Sequence, residues 1–401
     1  MRNSSTLALF SSEPFYETCG KRYFTRSKWD TLSLMSAPFR QVVLALPRNT
    51  ARPITTELVT PPEQYKWLPL YTVGGSSGIL QRLVKLWKTA VLYLHHYQEW
   101  DVIYVRLFFW DALIAGLLSI ILRKEMYASL HGDIEEAVLI NWQTRRYPEA
   151  FKRAVSKALG VLTRMICSRA SVLFVSGPAL AEKYAPTRKD VVLFLDSSFS
   201  EGDIFVRKDT CQSLPIRLLY VGELVPRKGI SDLLKAVSIL QSGGQDVRLR
   251  LVGTGEIKRY QVEASLLGLD DYVEFVGYVP YGPKLFQEYQ RADIFVLVPL
   301  GAEGWSRVLI EASAHSLPIV TTNVGSLGRS VRDFNCGIVV SPGSAQEIAN
   351  AITTIISDSD LRKQFISGSI QRALHHTRGK EASRVHEALA RVYPDHVNSF
   401  V

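Results

Sequence analysis

Glu303 and Glu311, with seven residues between them, are the side chains best placed to do chemistry. They fall in Ala292–Ser326, ADIFVLVPLGAEGWSRVLIEASAHSLPIVTTNVGS. This stretch reads as a strand through Val298, a loop through Gly304, a helix from about Trp305 to His315, a turn at Pro318 and a second strand. Glu303 then sits on the loop ahead of the helix. Glu311 lies about two turns in, roughly 9–12 Å further along at 1.5 Å per residue. The amides of Gly304, Trp305, Ser306, Arg307 and Val308 open the helix without intrahelical partners and suit phosphate oxygens. Gly304 lets a ligand approach the backbone closely. A phosphate flanked by two hydroxyl-bearing groups fits this spacing, one carboxylate accepting from a sugar and the other from a ribose.

Three further segments supply partners. In Leu218–Gly229, LLYVGELVPRKG, a strand runs into Arg227 and Lys228 ahead of a helix Ile230–Leu240, and cations there would neutralise a diphosphate leaving group. In Arg248–Glu256, RLRLVGTGE, Gly253 and Gly255 end a strand, a spacing that also suits a plain tight turn. In Met126–Glu135, MYASLHGDIE, a strand runs into His131; a lone His is more often structural than catalytic.

The elements that must position these groups are βα units. Short Val, Ile, Leu and Phe runs alternate with amphipathic stretches in both halves, as around parallel sheets. The predicted strands are Thr6–Phe10, Gln41–Leu46, Val102–Val105, Met126–Leu130, Val172–Val175 and Val191–Leu195, then Arg217–Val221, Val247–Val252, Val273–Val276, Ile294–Leu297, Ile319–Thr322 and Gly337–Val340. The class is α/β, two Rossmann-like domains whose parallel sheets are expected to face a central cleft, since ligands bind at the carboxyl ends of such strands. The expected division is residues 1–200, a polar linker at 201–214, residues 215–380, and a helix in 381–401 crossing back to the first domain.

Composition agrees with a globular chain: 401 residues, 47% apolar and 21% charged. The four cysteines stand far apart without CxxC, which argues against a disulfide scaffold or zinc module. Residues 1–200 carry 25 Lys and Arg against 16 Asp and Glu, while residues 201–401 carry 22 of each, so the first half holds the whole excess of +9. That half is expected to meet an anionic membrane surface rather than nucleic acid, for which no motif exists. Ile79–Tyr97 sets Leu80, Leu83, Val84, Trp87, Val91 and Leu94 at helical spacing beside Arg82, Lys85 and Lys88. Such a stripe suits either a membrane interface or a helix covering a sheet. Leu107–Leu122, interrupted by Asp111, is too short to span a bilayer and reads as a core helix. The opening fifteen residues hold only a five-residue apolar run, too short for a signal peptide. The expected location is cytoplasmic, peripheral on the inner membrane face.

The order GxLxxxKG after a strand, VGxGE, FVGYV, AD-strand, EGxxxxxxE and PIVTTNVGS resembles the retaining glycosyltransferases of the large family 4, glycosyl transferases group 1, with the GT-B fold. The resemblance is strong over Arg217–Leu361, fainter over Asp101–Gly177 and nearly gone before residue 100. It implies a nucleotide-diphosphate sugar as donor, held mainly by the second domain; the aromatic and basic content of the first hundred residues favours a glycan or lipid-linked glycan acceptor, as in cell-surface polysaccharide or glycolipid assembly. By that resemblance Glu303 lies near the transferred sugar, Glu311 on the ribose, Lys228 on the diphosphate, His131 near the donor sugar, and Tyr278 and Val279 by the nucleobase. Retention without a covalent nucleophile is implied, and no metal cofactor is expected. Asp358 and Asp360, the one promising DxD of the second half, read better as a helix cap.

The chain departs from the family pattern at three places. Glu223 stands where the family commonly has Arg, leaving Arg227 or Arg307 to compensate. The glycine pair after the first strand is missing; Gly20 is the nearest candidate, and Gly74 and Gly75 come too late. Ser306 replaces a frequent Gly or Pro. A non-catalytic partner subunit on the same fold is the alternative these departures favour. A sugar-nucleotide epimerase is a second, against which the EGxxxxxxE arrangement argues.

Overall fold

The structure is a computed structural model. It describes all residues except 1–4, 19, 51–57, 74–78, 108–109, 142–146, 302 and 398–401, so Cys19, Gly74 and Gly75 lie outside the described residues. The chain divides into two compact units, one of residues 1–196 with 381–401, the other of residues 197–380.

The first unit is built on parallel strands in the order Val192–Leu193, Leu173–Val175, Glu125–Leu130, Val102–Leu107, Thr6–Phe10 and Gln41–Asn49. Those six match the predicted runs to within a few residues. Four more were not legible. Tyr65–Val73 lies parallel along Gln41–Asn49, whose far end also pairs with Phe15–Thr18. Phe15–Thr18 forms an antiparallel hairpin with Lys21–Thr25, which in turn pairs with Leu58–Val59. These pieces are polar, very short or interrupted by Pro69, so periodicity gives them no signal. Gly20 sits on the hairpin turn at φ +72° and is exposed, with nothing within 4 Å of where a Cβ would stand.

Helix Trp110–Ile121 covers this sheet, and its Asp111 is 2% exposed. The carboxylate survives burial because three hydroxyls donate to it: Ser12 at 2.5 Å, Tyr71 at 2.6 Å and Thr89 at 2.8 Å. Thr89 belongs to helix Ile79–His96, so that helix turns its polar Thr89 and Tyr93 inward, the Tyr93 hydroxyl lying 2.8 Å from Ser119 Oγ. The core of this unit includes Val385, Leu389 and Tyr393, of which Val385 and Leu389 are on the last helix, Arg378–Val392.

The second unit has one all-parallel sheet in the order Val273–Gly277, Val247–Val252, Ile216–Val221, Ile294–Leu297, Ile319–Thr322 and Gly337–Val340. The order reverses between Ile216–Val221 and Ile294–Leu297, and the loops leaving these two strands therefore flank the crevice where such sheets take ligands. Asp293, from the AD that precedes a strand, works at the opposite end of the sheet. It takes the Arg217 guanidinium at 2.8 and 3.1 Å and the amides of Arg217 and Cys211. Residues 201–214, expected as a linker, are tied into this unit. Arg207 donates to the carbonyls of Tyr289, Gln290 and Ala292, and Asp209 pairs with the guanidinium of Arg362. Asp358 accepts from the amides of Asp360 and Leu361 and caps helix Ser359–His375.

Candidate functional site

Three strand ends build the site in the second unit. After Ile216–Val221 the chain makes a short 3-10 turn, Pro226–Lys228, closed by Gly229 in the left-handed region at φ +72°. A Cβ on Gly229 would run into the Val298 carbonyl, so only glycine lets this turn lie against the next loop. The Leu300 amide donates to the Arg227 carbonyl at 2.8 Å and locks the two loops together. From the third strand end, Thr322 Oγ1 donates to the Pro299 carbonyl at 2.7 Å, and Gly325, at φ +53°, lies against the backbone carbonyl of Glu303.

Glu303 is thereby delivered to both cations of the turn. Its Oε1 accepts from Arg227 Nη1 at 2.7 Å and from Lys228 Nζ. The carboxylate and the lysine are largely buried, while Arg227 is half-buried. Arg227 also lies 3.5 Å from Glu223, whose carboxylate is 67% exposed. Tyr220 donates to the Glu223 carbonyl at 2.8 Å, and its phenol is pushed far up by burial and by the nearby Glu303.

Helix Arg307–Ala314 starts after Ser306, which takes the N-cap position without a side-chain cap bond. Gly304 and Trp305 lead into it, both half-buried. The Trp305 ring meets His376 edge-on at 5.2 Å, and its indole Nε1 is buried with no acceptor among the described residues. Arg307 donates to Ser198 Oγ. Glu311 is 7% exposed and accepts from the Tyr289 hydroxyl at 2.8 Å. Burial and this carboxylate hold the Tyr289 phenol well above its ordinary range. The helix is clamped from behind by Ser359–His375, where the buried Arg372 donates to Leu309 O and Ser313 Oγ.

His315 closes this helix. Its Nδ1 donates to the Glu311 carbonyl at 2.8 Å, its ring stacks on Tyr289, and burial holds its pKa below 6.5, with Arg207 adding repulsion. An unfolded histidine titrates at about 6.5, so on acidification the unfolded chain takes up this proton first. Stability should therefore fall as pH drops below about 6.5. A melting curve series from pH 8 to 5 should show this slope reduced in His315→Leu; an identical slope in that variant removes His315 as its source.

Among the other predicted residues, Gly253 has φ +145° and its absent Cβ would strike the Gly222 carbonyl; a Cβ on Gly255 would meet the Leu224 backbone. Both glycines thus serve the packing of the VGTGE loop on the loop that carries Glu223. Tyr278 is exposed and Val279 half-buried against the core, just after Gly277. His131 belongs to the first unit, where one ring nitrogen lies 2.8 Å from Ser129 Oγ, itself 2.6 Å from the Tyr104 hydroxyl. The second unit thus gathers Glu303, Arg227 and Lys228 into one ion-paired cluster beside the helix of Ser306, Arg307 and Glu311. Sequence reasoning missed Tyr289, whose place on an amphipathic helix hides its partner, and Gly325, visible only as the glycine of PIVTTNVGS. Among the described residues no three His, Cys, Asp or Glu side chains gather as metal ligands.

Comparison with known proteins fits this geometry. The family described as Glycosyl transferases group 1 matches residues 207–372. The phosphatidyl-myo-inositol mannosyltransferase of Mycobacterium leprae is 29% identical over 168 residues, 41% of this chain and 44% of that protein. The capsular polysaccharide biosynthesis glycosyltransferase CapM of Staphylococcus aureus is 32% identical over 144 residues, 36% of this chain and 37% of that one. The matched stretch thus spans less than half the length of either relative. Among solved structures, sucrose-phosphate synthase from Thermosynechococcus elongatus superposes with a TM-score of 0.72 at 17% identity, covering 97% of this chain and 99% of that one. Anabaena Alr3699/HepE in complex with UDP superposes with 0.67 at 18% identity, covering 96% and 100%. Residues 207–372 thus match the glycosyl transferases group 1 family, and the fold of the chain is GT-B.

Proposed function

We propose that this protein is a retaining, metal-independent glycosyltransferase that moves a sugar from a nucleotide-diphosphate sugar to a glycan or lipid-linked glycan, in polysaccharide or glycolipid assembly. The observation that carries the reading is the pairing of Glu303 with Arg227 and Lys228 at the crevice of the second sheet, next to the open end of helix Arg307–Ala314. Two cations and a row of helix amides suit a diphosphate. Phosphate oxygens compete with Glu303 for Lys228 and Arg227, and a carboxylate freed from them can accept from a sugar hydroxyl. The cations then stabilise the charge that develops on the departing diphosphate, which can itself take the acceptor's proton. Glu311, held in place by Tyr289, is assigned to the ribose, and Tyr278 and Val279 to the base. His131 and Gly20, both of the first unit, keep the roles that the family resemblance implies for them.

The relatives named for mannosyl transfer to phosphatidyl-myo-inositol and for capsule synthesis support the acceptor class. HepE, solved with UDP, supports a nucleotide diphosphate as the donor's recognised half. The test is a thermal-shift panel of nucleotide diphosphates and their sugars with EDTA present. Ligand at a hundred times its Kd adds about 2.7 kcal/mol, an easily read shift. Lys228→Ala should weaken that binding about ten- to a hundredfold, the range for a hydrogen bond to a charged group. An undiminished shift in Lys228→Ala would remove the lysine from the diphosphate.

A partner-subunit reading draws on one observation, the Glu223 carboxylate beside Arg227. Donor hydrolysis without acceptor separates the two readings: slow turnover marks an enzyme. Nucleotide binding with no hydrolysis and no transfer marks a partner subunit.

A further inference from the structure

Helix Ile79–His96 is mounted inside out. Thr89 and Tyr93 face the core, whereas Leu83, Val84, Trp87, Val91 and Leu94 are exposed, Trp87 to 65%. An amphipathic helix that merely covers a sheet buries its apolar stripe; this one presents it. The neighbouring helix Trp110–Ile121 packs against it and exposes Trp110 and Ile121. Next in line, Glu149–Arg169 exposes Phe151, Val161 and Met165 among Arg153, Lys157 and Arg169.

Charge selects the occupant. Helix Ile79–His96 has Arg82, Lys85 and Lys88 beside its stripe and no Asp or Glu at all. Lys85 also lies 5.3 Å from the Tyr71 ring centroid. Protein interfaces are depleted of lysine, whereas lysine beside a Leu and Trp stripe is the pattern of helices lying in an anionic lipid interface. Among the described residues no helix is long and apolar enough to cross a membrane, so contact would be along the surface. We infer that the exposed face of helix Ile79–His96, extended by its two neighbours, docks flat on an anionic bilayer, its apolar row in the headgroup boundary and its cations among the phosphates. The inference rests on the proposed function only in that a lipid-linked acceptor gives such docking a purpose.

The experiment is co-sedimentation of the full chain with vesicles of phosphatidylcholine alone and of equal parts phosphatidylcholine and phosphatidylglycerol. Three interfacial cations predict about a hundredfold tighter binding to the anionic vesicles, weakened by salt. The triple variant Trp87→Ser, Val91→Ser, Leu94→Ser alters only exposed positions, so it should keep its melting temperature while losing at least tenfold in vesicle affinity. Undiminished vesicle binding by this variant overturns the inference. A wild-type dimer that the variant dissolves, with no vesicle binding by either, overturns it too and gives the face to a second copy of the chain. Nucleotide-induced thermal shift on the same samples separates the two proposals. Vesicle binding without any such shift counts against the donor site alone, and a shift without vesicle binding counts against the docking face alone.

Discussion

Glu303→Gln should lower sugar transfer by about a hundred- to a thousandfold, the usual cost of removing one preorganised charged group from a transition state. The substitution keeps the shape of a side chain that is 10% exposed and leaves an amide oxygen for Lys228. What it removes is the charge that balances Arg227 and Lys228 between turnovers, and the acceptor assigned to the sugar hydroxyl. Its folding cost should be about 1–2 kcal/mol, a few degrees in melting temperature for a unit of this size. Because the two cations stay, nucleotide diphosphate should bind as tightly as to the unaltered protein or tighter. The decisive comparison is single-turnover transfer beside nucleotide affinity. Transfer at the normal rate would take Glu303 out of the chemistry, and a parallel fall in rate and nucleotide affinity would assign it to binding.

Gly253→Ala should be among the most destabilising single substitutions in the second unit. At φ +145° an L side chain is strained by about 1–3 kcal/mol, and here the added methyl would also meet the Gly222 carbonyl. Together these give about 4 kcal/mol, or roughly 8–16 °C in melting temperature. Gly277→Ala is the control. It shares a positive φ, +80°, but nothing lies within 4 Å of its Cβ position, so about 1 kcal/mol is expected. Equal losses in the two would mean that backbone strain, and not the closeness of the two loops, sets the cost.

The contrast between these glycines bears on how far the sequence could be read. Spacing shows that Gly253 and Gly255 end a strand, but not that one loop's backbone presses on another's. The parallel strands were legible because most are short apolar runs rich in Val, Ile, Leu and Phe, and Val247–Val252 and Ile319–Thr322 fall where those runs predict. Glu303 and Lys228 were legible as chemistry because loop residues after strands in such sheets converge. The bond from the Leu300 amide to the Arg227 carbonyl, which fixes their distance, joins two backbones and leaves no trace in residue type. Helix Ile79–His96 marks another boundary. Its period reveals the stripe, but which side meets the sheet is decided by the hydroxyl donors that buried Asp111 requires. The hairpin holding Gly20 has strands of only 4 and 5 residues, too short for a period to register.

The last helix has a consequence for how the molecule is made. Val385, Leu389 and Tyr393 are buried in the core of the first unit, and the fully buried Glu381 accepts from the Leu195 amide at 3.2 Å. At ribosomal speeds of about 5–20 residues per second, the 184 residues of the intervening unit take roughly 10–40 s to emerge. Through that interval the nascent first unit waits with Phe39, Tyr127 and their neighbours only partly covered. The second unit, though it leaves the ribosome later, has its whole sheet in one uninterrupted stretch and can finish first. Maturation of the first unit therefore waits until this helix has emerged, and in this window it would depend most on chaperones.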